Sequence, residues 1–277
     1  MVQGFYGTVI AKDNPRKPKQ GGMGGSEEML GMIDAVRGCL KEEIRMDVIA
    51  NNLANASVAG FKRDRISFQD LLLQQGSVSA EGAGTPGGGK TLVRVQPDFS
   101  QGDIYNTGNM LDFAISGKGF FKVATPYGIR YTRKGNFKLN ALGNLITQDG
   151  YVVLGKGGPI NLFDTQDLSK HVTVDERGVI TFGGDELDQL DIVSFANDDA
   201  LVKVGNGLFK KRQGANEDVL PPETKVRQGC LESSNVNVAE EMVQMIHSLR
   251  AFESYQKAIK VLDRLDNKAT NEVSRLK

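Results

Sequence analysis

Two runs of helical periodicity, one near each end of the chain, constrain its fold more than any other feature. From Met29 onward, Leu30, Ile33, Val36, Leu40, Ile44 and Val48 recur three and four apart, and Met32, Cys39, Met46 and Leu53 widen the stripe. Lys41, Glu42, Glu43, Arg45 and Asp47 supply the polar face. The pattern predicts a helix ending near Asn55, ahead of the turn Ser57–Gly60. At the other end Asn237 and Glu240 make a capping-box-like start. Val238, Met242, Met245, Leu249, Phe252, Ile259 and Leu262 follow as a second apolar seam, with Glu253 and Lys257 as an i,i+4 pair on its outer face. No segment between them has comparable helical length. Each helix alone would expose a wide apolar stripe, so they must pack on each other, on copies of the chain, or on both.

The rest of the chain divides by composition. Residues 1–28 read as a flexible extension, because Gly21–Gly25 orders only at high backbone entropy cost; Met23 and Met29 are each candidate initiators. Residues 29–75 hold the first helix and a following segment, and 76–90 form a Gly-rich loop. Residues 91–226 read as a β-domain, with short strands expected at Phe120–Val123, Tyr131–Leu139, Leu145–Thr147, Tyr151–Leu154, Val172–Val174, Val179–Phe182 and Leu190–Phe195. Turn signals such as Asn140–Gly143 and Asp149-Gly150 separate them, which suits an antiparallel sandwich or irregular barrel. Residues 227–277 form the C-terminal helix, expected to pair with the first. The fold class is therefore α+β: terminal amphipathic helices forming a coiled-coil domain, with a central antiparallel β-domain.

Composition narrows the function. Lys plus Arg and Asp plus Glu number 34 each, so no net field draws the chain to nucleic acid or to an anionic membrane. No run reaches the roughly 20 apolar residues of a membrane span, and Met1–Ile10 lacks the apolar core of a cleaved secretion signal. Cys39 and Cys230 stand far apart, without the spacing of a disulfide framework or a zinc site, and His171 and His247 have no ligand partner at suitable spacing. No catalytic constellation, metal site or cofactor site is expected. Gly84–Thr91 fits GxxxxGK[ST], the phosphate-binding loop, letter for letter. That chemistry needs a strand before the loop and a helix after it. Here Ser77–Ala83 is no strand, and Thr91–Asp98 alternates like an extended segment.

Several blocks resemble the flagellar rod, hook and hook-associated proteins. The first is Ala50–Ser57 followed by Gly60-Phe61-Lys62. The second comprises Thr107-Gly108-Asn109, Leu111-Asp112 and Gly117–Phe121, continued by Tyr131-Thr132-Arg133, Gly135-Asn136-Phe137, Gly143 and Asp149-Gly150-Tyr151. The third is Gln228–Asn237 with Glu241–Ile246 and Arg250-Ala251-Phe252-Glu253. The resemblance spans residues 29–273. A single compact β-domain argues against the larger hook protein. The short Pro-containing connection Gly214–Val226 looks more like the proximal-rod FlgF type than the distal-rod FlgG type, which comes next.

The resemblance implies a structural subunit that self-assembles into the periplasm-spanning rod of the flagellar basal body and transmits torque. Its partners would be other copies of itself, neighbouring rod and hook-basal-body proteins, and the flagellar type III export apparatus, which passes it without a cleaved signal. The expected assembly interface comprises Leu40, Ile44, Val48 and Leu53 with Asn51, Asn52 and Asn55 on the first helix. On the second it comprises Met242, Met245, Leu249, Phe252, Ile259 and Leu262. Asn51, Asn52 and Asn55 can also cap backbone at the helix end. Rival readings are a nucleotide hydrolase acting through Lys90 and a monomeric β-sandwich binding module.

Overall fold

The computed structural model describes residues 24–71, 90–162, 172–182, 184–218 and 220–275. Helix α1 (Gly24–Ala54) starts five residues ahead of Met29, the expected start, because Ser26–Leu30 are acceptable helix formers and each glycine costs only about 1 kcal/mol. Strands β1 (Asp64–Leu71) and β2 (Lys90–Pro97) then form an antiparallel ribbon in unbroken register from Asp64↔Pro97 to Leu71↔Lys90. Most of the expected Gly-rich loop lies outside the described residues.

Strands β3 (Ile104–Asn106) and β4 (Phe113–Ser116) lead into the main sheet. Its members begin with β5 (Phe120–Thr125), β6 (Gly128–Thr132), β7 (Lys138–Leu139), β8 (Leu145–Ile146), β9 (Val152–Gly155) and β10 (Gly158–Pro159). A small antiparallel sheet of β11 (Val172–Val174), β12 (Val179–Phe182) and β13 (Asp185–Gln189) follows. Strands β14 (Ile192–Val193), β15 (Leu201–Gly205) and β16 (Leu208–Lys211) return to the main sheet, whose path runs β15-β16-β6-β5-β9-β8-β7. Finally β17 (Lys225–Gln228) pairs with β4, and β18 (Cys230–Glu232) pairs with β3, before helix α2 (Val238–Arg275). Every described pairing between strands is antiparallel.

Two apolar clusters hold this body together. One gathers Phe113, Ile115, Phe121, Val123, Phe137, Leu145, Val153 and Leu190 between the sheets. The other is aromatic: Phe120, Phe209 and Tyr131 are buried, with Phe99 and Phe195 packed against them edge-to-face at centroid separations of 5.0–6.1 Å. Such ring pairs add about 0.5–1.5 kcal/mol each beyond the area they bury.

The expected strand Tyr131–Leu139 is broken in two. The chain leaves the ladder after Thr132, and Gly135 passes so close to Phe113 that its carbonyl accepts the Phe113 N–H at 3.0 Å. A Cβ at position 135 would lie 1.6 Å from the Phe113 oxygen, so only glycine fits there. The detour turns Arg133 into the interior.

Candidate assembly interface

Helices α1 and α2 lie side by side and antiparallel. Gly31 faces Leu262, Gly38 faces the ring of Tyr255, and the Asn52 amide donates to Glu241 Oε1 at 3.4 Å. Gly38 permits this closeness, since a Cβ there would sit 2.5 Å from the Tyr255 ring. Asn237 starts α2 as expected, its side-chain oxygen accepting the Glu240 N–H at 3.3 Å.

The line buried between the helices coincides only in part with the one the apolar pattern suggested. On α1 it runs through Ala35, Gly38, Glu42, Ile49 and Asn52, and on α2 Glu241 and Ser248 are fully buried while Met245, Phe252, Ile259 and Leu262 are half-buried. These positions alternate steps of three and four, which keeps a line facing one neighbour. Leu40, Ile44 and Val48 instead step by four, and a four-residue step drifts around a helix of 3.6 residues per turn. Ile44, Val48 and Leu53 are accordingly half-buried, whereas Leu40 is 53% exposed. Met242 and Leu249 are also exposed, at 54% and 47%. Together with Met32, Ile33 and Val36 on α1, and Val243 and Ile246 on α2, they leave apolar stripes open to solvent. Antiparallel pairing sets the α1 stripe beside the C-terminal half of α2, where Val261 and Leu265 are exposed as well, at 52% and 48%.

The asparagines serve the joint to the β-body. Buried Asn52 accepts the Asp64 N–H at 2.8 Å and donates to the Asp64 carbonyl at 3.0 Å, tying the end of α1 to the start of β1. Exposed Asn51 donates to the Asp64 carboxylate at 3.2 Å, and Asn55 donates to the Asn51 carbonyl at 2.8 Å. That last bond is the helix-end capping expected of these residues.

A buried charge cluster, missed from the sequence, closes the joint. Lys62 Nζ donates to Glu232 Oε1 at 2.6 Å and to the Ser100 carbonyl at 2.7 Å. Arg133 Nη1 lies 3.3 Å from Glu232 Oε2, while Nη2 donates to the Gly117 carbonyl at 2.7 Å. Glu232 also accepts the Gly102 N–H at 2.9 Å, and its own carbonyl accepts the Gly60 N–H at 2.7 Å. Burial lowers the pKa of Lys62, and Glu232 opposes that shift. Asn235 clasps the same region, accepting the Arg63 N–H and donating to the Asp98 carbonyl, both at 2.8 Å. Gly60-Phe61-Lys62 and Glu232 sit within the recognised blocks, but a pairing across 170 residues leaves no local pattern to read.

Other expected features fall aside. Lys90 and Thr91 begin strand β2, so no helix N-terminus follows the Gly84–Thr91 pattern, and its first residues lie outside the described ones. His171 also lies outside them, and His247 is exposed on α2. Cys39 and Cys230 are both free and half-buried. Among the described residues no cluster of His, Cys, Asp or Glu is arranged to hold a metal ion, and no helix is long and apolar enough to cross a membrane. An open groove of about 270 Å³ at the junction of α1, α2 and β1 is lined by charges of both signs, among them Arg45, Arg63, Glu240 and Glu241.

Comparison with known proteins matches three family descriptions in chain order. They are "Flagella basal body rod protein" over residues 35–62, "Flagellar hook protein FlgE/F/G D1 domain" over 114–182, and "Flagellar basal body rod FlgEFG protein C-terminal" over 227–272. The chain is 35% identical over 264 residues to the basal-body rod protein FlgG of Borreliella burgdorferi, covering 88% of this chain and 98% of that protein. It is 34% identical to FlgG of Bacillus subtilis, covering 87% and 97%, and 31% identical to FlgF of Caulobacter vibrioides, covering 83% and 92%. Placing the FlgF type first is therefore not supported. The connection Gly214–Val226 that suggested it ends in β17, an integral strand of the β-body, and so carries little type information. With matches at both helical ends and in the β-body, this chain belongs to the flagellar basal-body rod and hook family of structural proteins.

Proposed function

We propose that the protein is a rod subunit of the distal, FlgG type that polymerises through its terminal helices into the axial drive shaft. The observation that carries this reading is the pair of exposed apolar stripes, Met32–Leu40 on α1 and Met242–Leu249 on α2. Contiguous exposed surfaces of this kind mark interaction sites. In the polymer the helices would nest as a coiled-coil tube, with Leu40, Met242 and Leu249 buried between subunits. The FlgG names of several relatives support the distal type. Export through the flagellar type III apparatus and contact with neighbouring rod and hook proteins belong to the same reading.

The test is Leu249→Asp. Its side chain is exposed, so the β-body and monomer should fold unchanged by circular dichroism. Sedimenting polymers and swimming motility should both be lost. A variant that still builds rods and swims would sink the proposal.

A further inference from the structure

The β-body carries two exposed charged surfaces of opposite sign, and their key side chains form no ion pair among the described residues. The first is β13, which among the described strands is paired with β12 alone. Its Asp185 and Glu186 are exposed, and Leu187 beside them is 43% exposed. The second is the β15–β16 hairpin. Val202 pairs with Lys210 across it, and both are exposed, as are Val204 and Arg212. Lys203 and Lys211 are already engaged, with Asp64 at 2.9 Å and Glu217 at 3.9 Å, whereas Lys210 and Arg212 form no ion pair among the described residues.

Topology keeps the two surfaces apart. The hairpin is one end of the main sheet, whereas β13 adjoins β9 through the Lys156 N–H to Gln189 carbonyl bond and the Gly155↔Leu190 bridge. Strand β9 is four strands from β15, about 19 Å at about 4.8 Å per strand. The acid and base of one molecule therefore do not neutralise each other, although the chain's net charge is zero. Charge on an edge strand normally guards against edge-to-edge pairing. Here it forbids like with like, acid on acid or base on base, while leaving unlike pairing open. Each surface also offers an apolar residue, Leu187 on one and Val202 on the other.

We propose that the β13 edge of one copy docks on the β15–β16 hairpin of a second copy, Asp185 and Glu186 facing Lys210 and Arg212. Because the two surfaces differ, the contact is heterologous, and where its rotation does not close it extends as a helical series of copies. The inference rests on the reading of the chain as a polymer subunit, and it adds a contact outside the helices.

The experiment uses full-length protein mixed from light and heavy-isotope-labelled batches and treated with a carbodiimide, which joins carboxylates to amines in contact. Mixed-isotope links from Asp185 or Glu186 to Lys210 are expected. Links confined to one isotope population, or running only to other segments, would overturn the proposal. Reversing the acidic pair (Asp185→Lys with Glu186→Lys) or the basic pair (Lys210→Glu with Arg212→Glu) should weaken self-association by about tenfold or more. All four changes together should restore most of it. A four-residue swap no better than either pair overturns the contact. If reversal changes nothing while Leu249→Asp abolishes assembly, the β-body contact fails and the helical reading stands. If the mixed-isotope links form but Leu249→Asp assembles normally, the reverse holds.

Discussion

The ammonium of Lys62 lies 2.6 Å from Glu232 Oε1, and solvent reaches neither side chain, although 170 residues separate them. The pair fastens the segment leaving α1 to the strand entering α2. Dehydrating each charge costs several kcal/mol, so the pair persists only because its remaining hydrogen-bonding capacity is used. Ser100, Gly102 and Arg133 provide those partners. Arg133 Nε alone has no hydrogen-bond partner among the described residues.

Glu232→Gln removes the one anion shared by two buried cations. It should cost about 3–5 kcal/mol in urea unfolding, the usual penalty for an uncompensated buried charge. Lys62→Met should cost less, because Arg133 still faces Glu232. Equal losses for the two variants would contradict this account of the cluster.

Gly60 has φ 66°, and a Cβ there would lie 2.4 Å from the Arg133 carbonyl oxygen. Gly60→Ala therefore combines a left-handed backbone with a clash against the chain segment that delivers Arg133. A loss of about 1–3 kcal/mol is expected. Thermal unfolding measures it, and an unchanged midpoint would refute the geometry.

Glu241 is buried between the helices, and burial raises its pKa; the Asn52 hydrogen bond and Arg63 oppose this only in part. A raised value means the folded chain holds this proton more tightly than the unfolded one. The contribution is thus present in acid and lost as pH rises through the folded value. Glu241→Gln should raise the unfolding midpoint near neutral pH by about 2 °C, with the gain vanishing toward about pH 4. A gain that grows in acid would reverse the sign and the explanation.

Asn52→Ala breaks both bonds to the Asp64 backbone and the contact with Glu241. It should cost about 1–3 kcal/mol, because a buried donor and acceptor lose their partner. Amide exchange at Asp64 reads this directly: its protection should fall relative to Phe121 in the sheet core.

The two helices and most strands were legible because their periods of about 3.6 and 2 are written in apolar residues. The phase of α1 within the pair was not. Its contact line uses Ala35, Gly38, Glu42 and Asn52, residues that no search for hydrophobic stripes selects. The larger Leu40, Met242 and Leu249 dominated the pattern yet lie outside it. The family blocks pointed at Lys62 and Glu232 without showing that they meet. Such a pairing depends on β3, β4, β17 and β18 bringing distant segments together, and nothing local encodes that.

The bonds that lock this molecule are among its most distant in sequence: Asn52 to Glu241 spans 189 residues, and Lys62 to Glu232 spans 170. Closing such loops is slow, since chain entropy must be surrendered before the contact rewards it. A nascent chain, or one entering a narrow passage from its front end, lacks both bonds until the segment carrying Glu232 and Glu241 is free. Until that segment arrives, neither bond can tie the front of the chain to its back.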